Sequence, residues 1–147
     1  MKKFMFGIFS ALFGISANAQ IESADWKLDP IETTVGIHLI SDYGNGQALL
    51  SKEISNKIIS SEINKLDWVS DFYQLIVVLE PGISMEIGGS LNGIDGLSAI
   101  YRNRHNRIDA VISEAPESVL QMQNILEYFI LGDDQWQKKY DFGFKTY

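Results

Sequence analysis

Cysteine is missing from all 147 residues. That excludes a disulfide framework and a lipoprotein acceptor site, so stability must come from packing, for which 46% hydrophobic and 12% aromatic residues are sufficient material. Imidazole is nearly missing too. His38 and His105 are the only histidines; they fall on different predicted elements and have no partner at ligand or triad spacing. His38 reads as a strand side chain and His105 as a solvated loop residue. The G-x-S-x-G, H-E-x-x-H and Gly-Lys phosphate-loop patterns are lacking as well. The chain is therefore read as a non-enzyme, with no catalytic residues, no metal ligands and no cofactor.

Long apolar runs are limited to one, at residues 4–15. A dozen residues is too short for the roughly 20 that span a bilayer. With Lys2 and Lys3 before the run and Ala17-Asn18-Ala19 after it, the pattern is that of a cleaved export signal over residues 1–19. The expected location is periplasmic or secreted, or cytoplasmic if the segment is not a working signal. Residues 20–147 then form a single domain, without linker, repeat or low-complexity tract.

Positive charge is scarce: Lys and Arg total 12 against 19 Asp and Glu. Removing residues 1–19 takes away two lysines and no acid, leaving 10 against 19 and a net charge of −9. Such a surface repels phosphate backbones and anionic headgroups, so neither nucleic acid nor membrane is expected as a partner, and a cationic one is favoured. All three arginines sit in Tyr101-Arg102-Asn103-Arg104-His105-Asn106-Arg107, read as a solvated turn or a local ion-pairing patch.

Among the elements, residues 34–41 alternate with period two, placing Val35, Ile37 and Leu39 on a buried face. Residues 42–46 turn the chain into a second strand at 47–53. Ile58, Ile59, Ile63, Leu66 and Val69 recur at helical spacing and suggest a short helix, with Ser60-Ser61 as its cap, ending near Trp68; residues 52–59 can instead stay extended. Leu75-Ile76-Val77-Val78-Leu79 predicts a central strand covered on both faces. Pro81-Gly82 turns it into a strand at 83–88, and a glycine-rich loop at 88–96 leads on. Residues 97–101 and 107–112 make the clearest hairpin. Val119, Met122, Leu126 and Phe129 mark the core face of a helix over residues 116–131, with Pro116 in its first turn and Gly132 as its C-cap. Tyr140, Phe142 and Phe144 predict a last strand. The class is α+β: a mainly antiparallel sheet packed on one face by one long C-terminal helix and a shorter helix.

Trp68, then Ser84-Met85-Glu86-Ile87-Gly88-Gly89, Ala115-Pro116-Glu117-Ser118, the long helix and Gly132-Asp133-Asp134-Gln135-Trp136 form a series that resembles immunity proteins of bacterial polymorphic-toxin and contact-dependent inhibition systems, over residues 68–136. In that family a Trp-containing helix precedes a short strand ending in Gly-Gly, and a Pro-Ser-started helix ends in a Gly followed closely by Trp. The resemblance implies a small, catalytically silent protein that binds a cognate toxin, here a basic one, and blocks its active site. The export segment departs from the pattern, and implies either a toxin acting in the periplasm or an N-terminus that is not a cleaved signal. The alternative is a periplasmic small-ligand-binding or accessory domain. Asp133 and Asp134 beside Trp136 form the candidate acidic and aromatic partner-binding surface, the alternative being that Trp136 closes the core, with the Tyr43 turn and the Asp95 loop as further candidates.

Overall fold

The computed structural model describes residues 28–94 and 96–147. The expected export segment at 1–19 and the candidate residue Asp95 lie outside them. In chain order the elements are a single helical turn α1 (Pro30–Thr33), β1 (Gly36–Ser41), a tight turn (Asp42–Gly44), β2 (Gly46–Ser51), α2 (Asn56–Asn64), β3 (Tyr73–Glu80), β4 (Ile83–Gly89), β5 (Leu97–Asn103), β6 (Ile108–Ile112), α3 (Val119–Leu131), α4 (Gln135–Lys139) and β7 (Phe142–Thr146). The strands form one sheet ordered β2-β1-β3-β4-β5-β6-β7. Every neighbouring pair is antiparallel. The class is α+β, with four helices among the described residues.

Period two along the strands divides the sheet into two faces. One presents Ile37, Leu75, Val77, Met85, Ile87, Leu97, Ala99 and Tyr101 to Ile59 and Ile63 of α2 and to Met122, Ile125, Leu126 and Phe129 of α3. Trp136 of α4 completes this core, its ring 4.4 Å from that of Tyr101 and 4.8 Å from that of Phe142.

Local chemistry moves several element boundaries. Helix α2 starts before Ser60-Ser61, because the Ser55 side chain accepts from the Ile58 amide at 3.2 Å and caps it there. Residues 56–59 are thus helical. Helix α3 starts at Val119, where Ser118 accepts from the Gln121 amide at 3.1 Å, so Pro116 precedes the helix. Its C-cap is Gly132, at φ 86°. Val35 is exposed, not buried; it precedes β1, whose first residue, Gly36, has φ 143° and redirects the chain there. Val69 is also exposed, and Trp68 lies beyond α2, in the following turn. There Asp67 accepts from the amides of Val69 and Ser70 at 3.1 and 3.0 Å. The Trp68 indole is buried and donates to the Ile63 carbonyl at 2.9 Å.

The second face carries polar groups at the alternate positions of the same strands, and they are buried too. Glu86 is 0% exposed; it accepts from Arg102 Nη1 at 2.7 Å and from Gln74 Nε2 at 2.9 Å. Arg104 donates from Nε and Nη2 to the Glu32 carboxylate of α1 at 2.9 to 3.2 Å. Its Nη1 reaches Asp109 at 3.5 Å and donates to the Tyr147 hydroxyl. Ile31 of α1 packs on Ile40, Ile76 and Val78 beside this network. Two of the three arginines of the 101–107 run are therefore buried and ion-paired. His38, also buried, donates from Nε2 to the Thr34 carbonyl at 2.7 Å.

Candidate functional site

Antiparallel pairing aligns Ser41, Tyr73, Gly89 and Leu97 in one row across four strands. The connections beyond that row meet at one end of the sheet: the Asp42–Gly44 turn, the 67–72 turn and the 90–96 loop. Each is fixed by its own chemistry. Asp67 organises the second turn through amide hydrogen bonds, which hold its carboxyl below the ordinary range; Ser70 contributes most and Val69 less. In the third, Gly89 sits at φ 117°, where an added Cβ would collide with the Gly96 carbonyl, and Gly96 accepts from the Ser90 amide at 3.3 Å. Loops two and three are joined where Leu91 N and Ser90 Oγ donate to the Trp68 carbonyl at 2.7 and 3.2 Å.

The first turn is held in an uncommon conformation. Asp42 and Tyr43 both have left-handed backbones, at φ 51° and 53°, which a bulky aromatic residue rarely adopts. This holds the 66%-exposed Tyr43 ring against Phe72, with centroids 5.1 Å apart and planes 16° from parallel. Two surface hollows, each of about 330 Å³, share Tyr43, Ser70, Asp71 and Phe72 in their walls. One extends toward Asn92, Gly93 and Gly96, the other toward Ser41, Asp42 and Tyr73. Among the described residues no Lys, Arg or His lines either. Asp71 accepts from the Tyr73 hydroxyl at 3.2 Å. Burial first, then that bond to Asp71, raises the Tyr73 phenol above its ordinary value and keeps it a donor. Val69, Leu91 and Ile94 are exposed around the same end, so apolar and aromatic surface is concentrated here beside Asp42, Asp67 and Asp71.

The expected site residues separate into two places. Tyr43 and the described residues 90–94 and 96 belong to the end just described, joined there by the 67–72 turn, which carried no sequence-based expectation. The signal for it was Asp67, Asp71 and Phe72 crowded between a helix and a strand. Asp133 and Asp134 lie at the α3–α4 turn, both exposed and both left-handed, at φ 53° and 54°. Trp136 is not on the surface beside them: it is 2% exposed and closes the core against Tyr101. Tyr101 is four residues along β5 from Leu97, about 13 Å at strand rise, so the two places are distinct.

Among the described residues no group of three or more potential metal-ligating side chains is assembled, and no helix is long and apolar enough to cross a membrane. No protein-family model matches the chain, and neither curated proteins nor solved structures show a match to it.

Proposed function

We propose that this chain is an immunity protein of the bacterial polymorphic-toxin kind, which binds a basic cognate toxin and blocks its active site without chemistry of its own. The observation that carries this reading is the loop end of the sheet, where the Tyr43–Phe72 stack and exposed Val69, Leu91 and Ile94 lie beside Asp42, Asp67 and Asp71. Aromatic anchors are what protein interfaces concentrate, and a one-signed rim steers an oppositely charged partner and raises its association rate. The loop end is preferred over the Asp133–Asp134 turn because there the neighbouring tryptophan is spent on the core. An export signal at 1–19 would place the complex outside the cytoplasm, with a toxin that acts in the periplasm.

The test is co-expression with the protein encoded by the adjacent reading frame. The expected result is a stable complex and rescue of growth from that protein's toxicity, with Asp42→Asn plus Asp71→Asn slowing association most at low ionic strength and Tyr43→Ala plus Phe72→Ala speeding dissociation at any ionic strength. An adjacent product that is not toxic, or whose toxicity the chain leaves unchanged, overturns the reading. A periplasmic small-ligand-binding role remains the second reading, favoured by hollows of about 330 Å³, within the usual range for ligand sites. It is the reading left standing if the adjacent product is harmless.

A further inference from the structure

This inference rests on the reading that the loop end docks a basic toxin, and it names the chemical group the site takes. The hollow on the Asp42 side has room for about ten water molecules, at about 330 Å³. It holds two carboxylates and three aromatic rings, those of Tyr43, Phe72 and Tyr73. Asp42 Oδ2 accepts from Asn45 Nδ2 at 3.4 Å and Asp71 Oδ2 from the Tyr73 hydroxyl at 3.2 Å. Among the described residues Oδ1 of neither takes a hydrogen bond, and neither carboxylate has an ion pair.

A neutral occupant would strip water from two carboxylates and return no charge to them, and an anion would be repelled. A cation is what the lining accepts. Between the two protein cations, an ammonium is a compact, strongly hydrated point charge, whereas a guanidinium is planar, weakly hydrated, stacks on rings and forks to carboxylates. Rings already stacked at 16° present a flat outer face to such a plane.

We infer that this hollow is an arginine subsite, in which a guanidinium from an exposed arginine of the toxin lies against the Tyr43–Phe72 stack and is held by Asp42 and Asp71. The remaining hollow, toward Asn92 and Gly93, then receives the residues flanking that arginine.

The probe is a blocked Gly-Arg-Gly peptide titrated into the isotope-labelled full chain and followed by amide chemical shifts, with the lysine and citrulline peptides alongside. Citrulline keeps the shape and removes the charge. Shifts should cluster at residues 42–43 and 70–73, with the arginine peptide binding about tenfold more tightly than citrulline and detectably more tightly than lysine. Asp42→Asn with Asp71→Asn should abolish the difference between arginine and citrulline. Both carboxylates are exposed, so that variant should fold. Equal shifts from arginine and citrulline, shifts confined elsewhere, or none at all overturn the subsite. Toxin binding that survives Asp42→Asn with Asp71→Asn but is lost in Tyr43→Ala with Phe72→Ala would remove the arginine subsite and keep the docking reading. Toxin binding untouched by either pair would remove the docking reading itself, whatever the peptides do.

Discussion

On one face of the sheet Leu75, Val77, Met85 and Ile87 meet Met122, Leu126 and Phe129. On the other, Gln74, Ser84, Glu86, Ser98, Arg102 and Asp109 occupy alternate positions of the same strands, and they too are buried. The apolar face is held by area and shape, which tolerate exchange of one hydrocarbon for another of similar volume. The polar face is held by paired charges, whose benefit depends on geometry and vanishes when one partner is removed. Because side chains alternate, a slip of one residue in β4 would swing Glu86 toward Leu126 and carry Met85 and Ile87 to the polar face. The two chemistries together therefore penalise the wrong register more than either does alone.

Breaking the network is expected to have the largest effect. Glu86→Ala takes from the buried Arg102 its 2.7 Å carboxylate and should cost about 3–5 kcal/mol in urea unfolding. Glu86→Met with Arg102→Met should recover most of that loss; a double variant as unstable as the single would mean that the pair contributes more than mutual neutralisation. On the apolar face Phe129→Ala, buried against Tyr101 with ring centroids 6.1 Å apart, should cost about 3–5 kcal/mol. Glu127→Ala on the same helix should change stability by less than about 0.5 kcal/mol. Equal effects at 127 and 129 would show that α3 does not present the face described.

A pH series sharpens the contrast within the polar face. Burial lowers the Arg104 guanidinium, but hydrogen bonding and the charge of Glu32, with Tyr147 and Asp109, more than reverse this and hold it above its ordinary value. Asp109 behaves differently: burial raises its carboxyl above 3.8, and the pull of Arg102 and Arg104 does not offset it. Arg104 holds Glu32 with three bonds of 2.9 to 3.2 Å and reaches Asp109 at 3.5 Å, so the shorter contacts go to Glu32. A carboxyl held above its ordinary value binds its proton more tightly in the native state. Its contribution is present below pH 3.8 and is lost as pH rises through the native value. The stability of the wild type relative to Asp109→Asn should therefore fall between pH 4 and pH 7. A difference that rises over that interval would show that the attraction of the arginines prevails over burial.

One substitution on the polar face has the opposite sign. Ser98, 1% exposed, has a hydroxyl without a hydrogen-bond partner among the described residues, so Ser98→Ala should raise stability by about 1 kcal/mol. A loss of stability would mean that an ordered water serves this hydroxyl.

Much of the apolar face was legible beforehand. Met122, Leu126 and Phe129 announced the buried side of α3, and Ile37 the inward side of β1. The unbroken run Leu75-Ile76-Val77-Val78-Leu79 even signalled that β3 is covered on both sides. Helix starts were less legible, because Ser55, Ser60 and Ser61 are equally good caps by composition and only backbone geometry selects Ser55. Of the candidate site, Tyr43 and the loop around Asp95 were named as separate places, and their meeting with Asp71 and Phe72 was not visible.

Sequence alone settled what depends on neighbours along the chain: the periodicity of strands and helices, the turns at 42–46 and 81–82, the acidic balance and the lack of cysteine. Tertiary structure alone decided whether an alternating polar residue faces water or a buried partner. Ser84, Glu86 and Arg102 have the same period-two pattern in either case, and pairing across strands 16 residues apart brings Arg102 to Glu86. It likewise decided that Trp136 belongs to the core and that three distant turns form one surface. Those outcomes depend on strand order and register, which bring together residues that chain separation keeps apart.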